Sequence, residues 1–137
     1  MSRVLALDYG SARCGVALSD PTRTLATPLP VVERPATKRG MGAILGLVRE
    51  HAVRTVVVGL PIGLSGADTD QTRETRAFAD RLRERLGGRV DVVLHDERFT
   101  TRMAERFGGS GDEDSRAAAH LLEGWLAGQP ESRTLEP

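Results

Sequence analysis

The chain has 137 residues, the length of one compact domain that can bury a hydrophobic core without a disulfide or a metal. Hydrophobic residues make up 39% of the chain and charged residues 28%, which excludes wholesale disorder, and no apolar run approaches the roughly 20 residues of a membrane span. The 19 basic and 19 acidic residues balance, so no overall charge points to a nucleic-acid partner.

Cysteine and lysine usage adds two expectations. Cys14 is the only cysteine, which excludes an internal disulfide and fits a reducing cytoplasm, where we expect the protein to reside away from membranes. Lys38 is the only lysine, and every other basic residue is an arginine. Genomic base composition could produce this bias. The alternative is phosphate binding, because the planar guanidinium group suits bidentate contact with phosphate.

The first third of the chain predicts a β-meander followed by a helix. Residues 4–7 form an apolar run, and residues 14–18 follow closely enough to be its antiparallel hairpin partner. A third strand over residues 25–32 contains two prolines, which place it at the edge of the sheet. Residues 36–52 carry apolar side chains at helical spacing and predict an amphipathic helix.

The remaining pattern alternates strands and helices. It predicts strands at 55–58 (closed by Gly59-Leu60-Pro61) and 90–95, and helices at 69–86 (ended by Gly87-Gly88), 100–107 and 115–127. The order of elements implies an α/β fold with a mixed five-stranded sheet flanked by helices. We expect one domain over residues 1–127 and a disordered tail over residues 128–137.

Three carboxylates occupy positions at which a solvated surface charge is not expected. Asp8 continues the buried row of a strand, because alternate residues share one face. Glu97 follows another apolar strand, and Asp114 precedes a run of apolar residues at the spacing of one helical face. A buried carboxylate is costly unless it is paired or binds a metal. The three positions therefore predict a site for a hard cation such as Mg²⁺.

Each carboxylate also has a structural interpretation. Asp8 could cap the turn that follows it, and Glu97 could be an exposed strand end paired with Arg98. Asp114 could be a helix N-terminal charge favoured by the helix dipole. Each residue taken alone leaves its structural interpretation open, and the joint occurrence of the three favours a metal site more than any one of them does.

Four short motifs occur in order and cover nearly the whole chain. They are residues 8–17 with Ser19-Asp20, Gly59-Leu60-Pro61 with Gly66, Asp96-Glu97-Arg98 with Thr100-Thr101, and Asp114-Ser115-Arg116-Ala117-Ala118 with Leu122 and Leu126. Together they resemble the YqgF/RuvX family. The resemblance implies a fold like that of ribonuclease H and the RuvC resolvase.

The resemblance also implies an activity and its cofactor. Asp8, Glu97 and Asp114 correspond to an acidic triad that is catalytic and binds Mg²⁺ or Mn²⁺. We expect two ions, one orienting and deprotonating a water and a second, roughly 3.5–4 Å away, stabilising the leaving oxygen. The implied enzyme is a hydrolase that cuts phosphodiester bonds in structured nucleic acid and matures the 5′ end of pre-16S ribosomal RNA during ribosome biogenesis. The alternative substrate is a Holliday junction in DNA recombination, which would favour a homodimer because two symmetric strands are cut.

The chain departs from the family pattern between Glu97 and Asp114. Family members usually carry a longer, basic segment there, whereas this chain has a few arginines and a glycine-rich joint. Asp112 is therefore an alternative third ligand. We choose Asp114 because only it keeps the three-residue spacing to the paired alanines. The expected substrate-binding residues are Arg13, Arg98, Thr100, Arg102 and Arg106, with Arg73, Arg76 and Arg83 as the alternative track.

Two other functions share the first motif. An Asp-x-Gly hairpin is also the phosphate loop of actin-like and Hsp70-like ATPases, but those proteins need two lobes and well over twice this length. A YqgF-like domain can also be a non-catalytic nucleic-acid-binding module, as within larger transcription factors. Such modules tend to lose acidic positions, and all three are present here.

Overall fold

The computed structural model describes residues 2–62, 69–98 and 111–129, with the backbone alone at residues 62, 97, 98, 111 and 112. The strands are β1 (Arg3–Asp8), β2 (Arg13–Ser19), β3 (Ala26–Glu33), β4 (Val53–Ile62) and β5 (Asp91–Arg98). The helices of these residues are α1 (Lys38–Glu50), α2 (Asp70–Leu86) and α3 (Gly111–Ala127).

The five strands form one mixed sheet in the order β3-β2-β1-β4-β5. β1 pairs antiparallel with β2 and parallel with β4, while β2–β3 is antiparallel and β4–β5 is parallel. The predicted α/β class with a mixed five-stranded sheet is confirmed. β3 lies at an edge, as its prolines predict, because proline has no backbone N–H with which to donate a hydrogen bond to a neighbouring strand.

Helices cover both faces of the sheet. α1 and α2 pack on the face that carries Leu5, Leu7 and Val58, and α3 packs on the face that carries Val4 and Ala6. The alternation of side chains along β1 therefore sends successive residues into two separate cores. Both β1 and β4 are buried on both faces, which explains their continuous apolar runs.

Local signals in the sequence set both ends of α2 close to the predicted positions. Thr69 caps α2 and forms a capping box with Thr72, and Gly87 closes the helix in the left-handed conformation at φ 66°. In α1, the buried stripe contains Met41, Ile44, Leu45 and Val48, the residues that the helical period selects. Among the described residues, no helix is both long and apolar enough to cross a membrane.

Three element boundaries differ from the prediction by three residues or more. β4 does not stop before Gly59 but continues to Ile62, because β5 pairs with it over this whole segment. Beyond Val58, β1 no longer pairs with β4, and this one-sided setting tolerates Pro61. β5 likewise extends past residue 95 to Arg98.

Helix α3 begins at Gly111 rather than at residue 115, so Asp114 lies within its first turn. Acidic residues at positions 112–114 favour an early start because they interact with the positive end of the helix dipole. The predicted helix over 100–107 and residues 130–137 of the predicted tail lie outside the described residues.

Candidate active site

Asp8 ends β1 on the face that α3 covers. Its side chain follows Val4 and Ala6 in the same row, and the residue is only 8% exposed. On the sheet, Asp8 pairs with Gly15 of β2, while the preceding Leu7 pairs with Val58 of β4. The strand-end carboxylate is therefore buried at the centre of the sheet, as the alternation predicts.

Gly15 lets the start of α3 approach this carboxylate. A Cβ atom built on Gly15 would fall well inside van der Waals contact with the backbone carbonyl of Asp114. Only a residue without a side chain fits at this contact. Because Gly15 is the cross-strand partner of Asp8, the close approach brings Asp114 and Asp8 to the same end of the site.

Ser115 fixes the start of α3 on the sheet. Its buried hydroxyl accepts a hydrogen bond from the backbone N–H of Val16 at 3.3 Å and donates one to the carbonyl of Leu29 at 2.5 Å. The register between β2 and β3 shifts just there, where two residue steps on β2 oppose three on β3. The serine hydroxyl thus bridges the two strands at the irregularity and holds the adjacent Asp114 in place.

Asp114 forms an ion pair with Arg13 of β2. The Arg13 Nε atom lies 2.8 Å from the Asp114 Oδ2 atom, and the two side chains are 39% and 15% exposed. This pair stabilises a carboxylate that is largely removed from water. The structure therefore unites Asp8, Arg13 and Asp114, three of the residues that the sequence selects.

Cys14 lies next to Gly15 on β2, and its side chain is buried in the core on the opposite face of the sheet. Burial, and after it the negative charges of Asp8 and Asp114, raises the pKa of the Cys14 thiol. The thiol is therefore neutral and belongs to the core below the site, which makes it a poor nucleophile.

Tyr9 anchors the backbone directly after Asp8. Its hydroxyl donates a hydrogen bond to Glu74 Oε2 at 2.7 Å, and its ring packs on Phe78 with 4.5 Å between the centroids. Burial and the Glu74 carboxylate both raise the pKa of Tyr9, so the phenol keeps its proton and remains a donor. Both contacts come from α2 and restrict the position of the strand end.

Glu97 lies near the end of β5, where its backbone pairs with Pro61 of β4. The side chains of Glu97 and Arg98, together with Thr100, Arg102 and Arg106, lie outside the described residues. Among the side chains that the structure does describe, no three His, Cys, Asp or Glu groups are arranged to hold a metal ion. Asp8 and Asp114 are the two described members of the predicted triad.

Gly15 and Ser115 act on the site without having been singled out by sequence reasoning. Both stand within the motifs quoted above, one residue from Cys14 and one from Asp114. A signal was present for Ser115, since a small polar residue beside an apolar helical stripe needs a buried hydrogen-bond partner. No local signal marks the close approach at Gly15, because the contact is with a residue about a hundred positions away.

Comparisons with known proteins point to one family. The profile of the RuvX family, described as Holliday junction resolvase, matches residues 2–128. A protein of Anaeromyxobacter sp. named "Putative pre-16S rRNA nuclease" is 40% identical over 93% of this chain and 98% of its own length. A protein of the same name from Maridesulfovibrio salexigens is 38% identical over 91% of this chain and 98% of its own length.

A solved structure supports the fold. T. thermophilus RuvC, described in complex with a Holliday junction substrate, superposes with a TM-score of 0.54 at 13% identity, covering 93% of this chain and 98% of that one. At this identity the likeness concerns the fold alone, which is RNase H-like as the motifs imply. The family match over nearly the whole chain, the relatives at about 40% identity and this fold lead to one conclusion: the chain belongs to the RuvX family.

Proposed function

We propose that this protein is a divalent-metal-dependent nuclease of the cytoplasm that hydrolyses phosphodiester bonds in structured RNA and matures the 5′ end of pre-16S ribosomal RNA. The approach of the largely buried Asp114 to the buried Asp8 at the end of β1 carries the proposal. Their proximity would be unfavourable for folding alone, because like charges in a poorly solvated place repel each other. The names of the relatives support RNA as the substrate.

The donor set fits a hard cation. Asp8 and Asp114 provide carboxylate oxygens, which Mg²⁺ and Mn²⁺ prefer as ligands, and both are held by rigid elements. We propose Glu97 as the third ligand. β1, β4 and β5 run parallel, so β5 ends at the same end of the sheet as β1. When bound, such ions polarise a phosphodiester and make a water nucleophilic at neutral pH.

The described residues would contribute positioning and charge. Asp8 would hold the ions at the centre of the site, because its strand is fixed on both sides by β2 and β4. Ser115 would keep Asp114 in register with Asp8. Arg13 is suited to bind a substrate phosphate, since its side chain is 39% exposed and lies beside the carboxylate of Asp114 at the site.

We propose that Arg98, Thr100, Arg102 and Arg106 extend this contact along the substrate backbone. No motif for reading bases is visible in the chain, so recognition would rest on shape and phosphates. The charge of the bound ions would offset the acidic site, which explains how a protein of zero net charge can bind a polyanion.

A second candidate is cleavage of Holliday junctions, which the description of the family favours. The two substrates make different demands on assembly, because symmetric cuts in a junction require two active sites in a dimer. Maturation of one RNA end requires only one.

One experiment separates the candidates. The purified protein is incubated with a fragment of precursor 16S rRNA and with a four-way DNA junction, each with Mg²⁺ or Mn²⁺ and each with a chelator control. We expect metal-dependent cleavage of the RNA at its mature 5′ end. Symmetric cleavage of the junction alone would favour the resolvase. Binding of either substrate without cleavage under all conditions would contradict nuclease function and favour a binding module.

A further inference from the structure

Two adjoining clefts lie at the end of the sheet that is opposite to Asp8. They border the first residues of β1, β4 and β5, and the larger has a volume of about 640 Å³. The charged residues that line them are Arg23, Arg49, Arg54, Arg89 and Asp91. These residues come from four separate segments of the chain: the connection between β2 and β3, the end of α1, the start of β4 and the start of β5.

The lining is strongly basic. Four arginines and one aspartate give the clefts a formal charge of +3, whereas the whole chain has a net charge of zero. Arg49, Arg54 and Arg89 are exposed, and within the described residues their side chains make no hydrogen bond or ion pair. Such a concentration of unneutralised guanidinium groups is repulsive, and an anion with several acceptor oxygens would relieve it.

Arg23 adds a fixed donor group to the rim. Its Nε and Nη2 atoms donate to the backbone carbonyl and the hydroxyl of Ser2 at 3.2 and 2.9 Å. These bonds tie the rim of the cleft to the residue that precedes β1. Part of the basic lining is therefore ordered before any ligand binds, which lowers the entropic cost of binding.

Three of the five arginines of α2, the alternative substrate track of the sequence analysis, provide the contrast. Arg83 donates to Asp80 and to the carbonyl of Val92, Arg73 pairs with Asp70, and Arg76 is not free either. These residues are engaged within the protein. The clefts at the opposite end of the sheet, by contrast, bring several exposed arginines together in one place.

The distance to the candidate active site suits a nucleic-acid duplex. β1 has six residues, so its two ends are about 17 Å apart at about 3.3 Å per residue. A B-form duplex covers this length with about five base pairs at roughly 3.4 Å each, and the more compact A-form duplex of RNA needs about six. β5 is an edge strand of the sheet, with Arg89 just before its start and Glu97 near its end, so a duplex lying along this edge would reach both places.

We propose that these amino-end clefts bind backbone phosphates of the structured RNA, about six base pairs from the bond that is cut. The inference rests on the proposed nuclease function and adds to it a second substrate contact remote from the metal ligands. It explains how a chain with only a short basic segment after Glu97 can bind its substrate. It also assigns a function to part of the arginine bias of the sequence.

The test removes two of the unpaired arginines. Binding of a fluorescein-labelled RNA hairpin carrying the 5′ end of precursor 16S rRNA is measured by anisotropy, in EDTA and over a series of NaCl concentrations. We expect Arg54→Ala/Arg89→Ala to weaken binding roughly tenfold or more at low salt and to lower the slope of log K against log salt by about 1.4–1.8, the value for two phosphates. The double variant Arg39→Ala/Arg85→Ala removes the same charge from exposed positions outside the clefts and should retain the wild-type slope.

The outcomes separate this inference from the proposed function. An unchanged slope in the cleft variant, or an equal loss in both double variants, overturns the cleft as a specific RNA contact. Tight binding of inorganic pyrophosphate to the clefts with an unchanged RNA slope overturns it in favour of a small phosphorylated ligand. Failure of the wild-type protein to cleave the hairpin with Mg²⁺ or Mn²⁺ contradicts the nuclease function, whereas a lowered slope in the cleft variant would still support the clefts as an RNA contact.

Discussion

At the scale of single residues, the site depends on the buried carboxylate of Asp8 at the end of β1. Asp8 is 8% exposed and occupies a position in a row of apolar side chains. Burial of a charge costs several kcal/mol unless partners or metals compensate for it. Replacement of Asp8 by a neutral residue of the same shape therefore tests whether its charge serves cleavage or folding.

We predict that Asp8→Asn abolishes cleavage and leaves the fold intact. Asparagine preserves the shape of the side chain but removes the charge that a divalent cation needs. In metal-free buffer the variant should be at least as stable as the wild type, because a repulsion with Asp114 is relieved. Cleavage assays with Mn²⁺ and thermal unfolding in EDTA measure the two effects. Residual activity close to that of the wild type would remove Asp8 from the mechanism.

Gly15 makes a prediction about geometry rather than charge. Gly15→Ala would drive a methyl group into the Asp114 carbonyl, so α3 must shift. Overpacking of this kind typically costs about 1–3 kcal/mol, and the shift should also lower the cleavage rate. Gly42→Ala is the matched control, because Gly42 is an exposed position of α1 and nothing lies within 4 Å of the added Cβ. The control should stabilise the protein by about 0.5–1 kcal/mol, which chemical denaturation can resolve. Equal effects of the two substitutions would contradict the close approach.

Tyr9 predicts how stability depends on alkaline pH. Its pKa is raised in the folded protein, so folding favours the protonated phenol, and this contribution is fully present below about pH 10, the pKa in the unfolded chain. Stability should fall as the pH rises above that value. Tyr9 is the only tyrosine and Lys38 the only lysine, so few other groups titrate there. Tyr9→Phe should be less stable at neutral pH, from loss of the Glu74 bond, and show a flatter alkaline decline in urea unfolding. A decline as steep as that of the wild type would instead implicate Cys14.

At the scale of elements, the contact between α3 and the β2–β3 pair determines where Asp114 lies. The helix carries its own apolar stripe, including Ala118, Leu121 and Leu122, and this stripe packs on β1, β2 and β4. Apolar contacts are not directional, so packing alone would let the helix shift along the strands. The hydrogen bonds of Ser115 at the register shift then select one position along the strands.

We predict that Ser115→Ala destabilises the protein by about 1–3 kcal/mol, because it leaves the buried N–H of Val16 and the carbonyl of Leu29 without this partner. The cleavage rate should fall at a temperature where the variant is still fully folded, since Asp114 loses its register. Arg116→Ala, on the exposed side of the same helix, should change stability by less than about 0.5 kcal/mol. Denaturant unfolding with parallel cleavage assays measures both. A stable Ser115 variant with normal activity would show that packing alone positions the helix.

At the scale of the whole molecule, metal binding should couple to global stability. The ligands come from β1, α3 and, as proposed, β5, so the unfolded chain has no equivalent site. A ligand that binds only the folded state stabilises it by about 2.7 kcal/mol at a hundredfold excess over Kd, which corresponds to a rise in Tm of roughly 10 °C. We predict such a rise with Mg²⁺ or Mn²⁺ in the wild type and its loss in Asp8→Asn. A rise of equal size in both proteins would place the metal elsewhere.

The amino-acid sequence by itself determined the elements and their burial. A continuous apolar run located β1, and helical spacing of apolar residues located α1. Prolines assigned β3 to an edge, and Gly87 marked the end of α2. Alternation along β1 was sufficient to place Asp8 on a buried face. These properties follow from interactions among neighbours in the chain, which a periodic pattern records directly.

Tertiary structure alone decided which distant residues meet. The ion pair of Arg13 and Asp114 joins positions 101 residues apart, the Ser115 bridge depends on a register shift between two other strands, and the amino-end clefts collect arginines from four segments. None of these contacts leaves a periodic trace, because each depends on the order of strands in the sheet and on the close approach of a helix at Gly15. The sequence thus determined which residues are buried and charged, and the packing of α3 against β2 decided that two of the carboxylates would form one site.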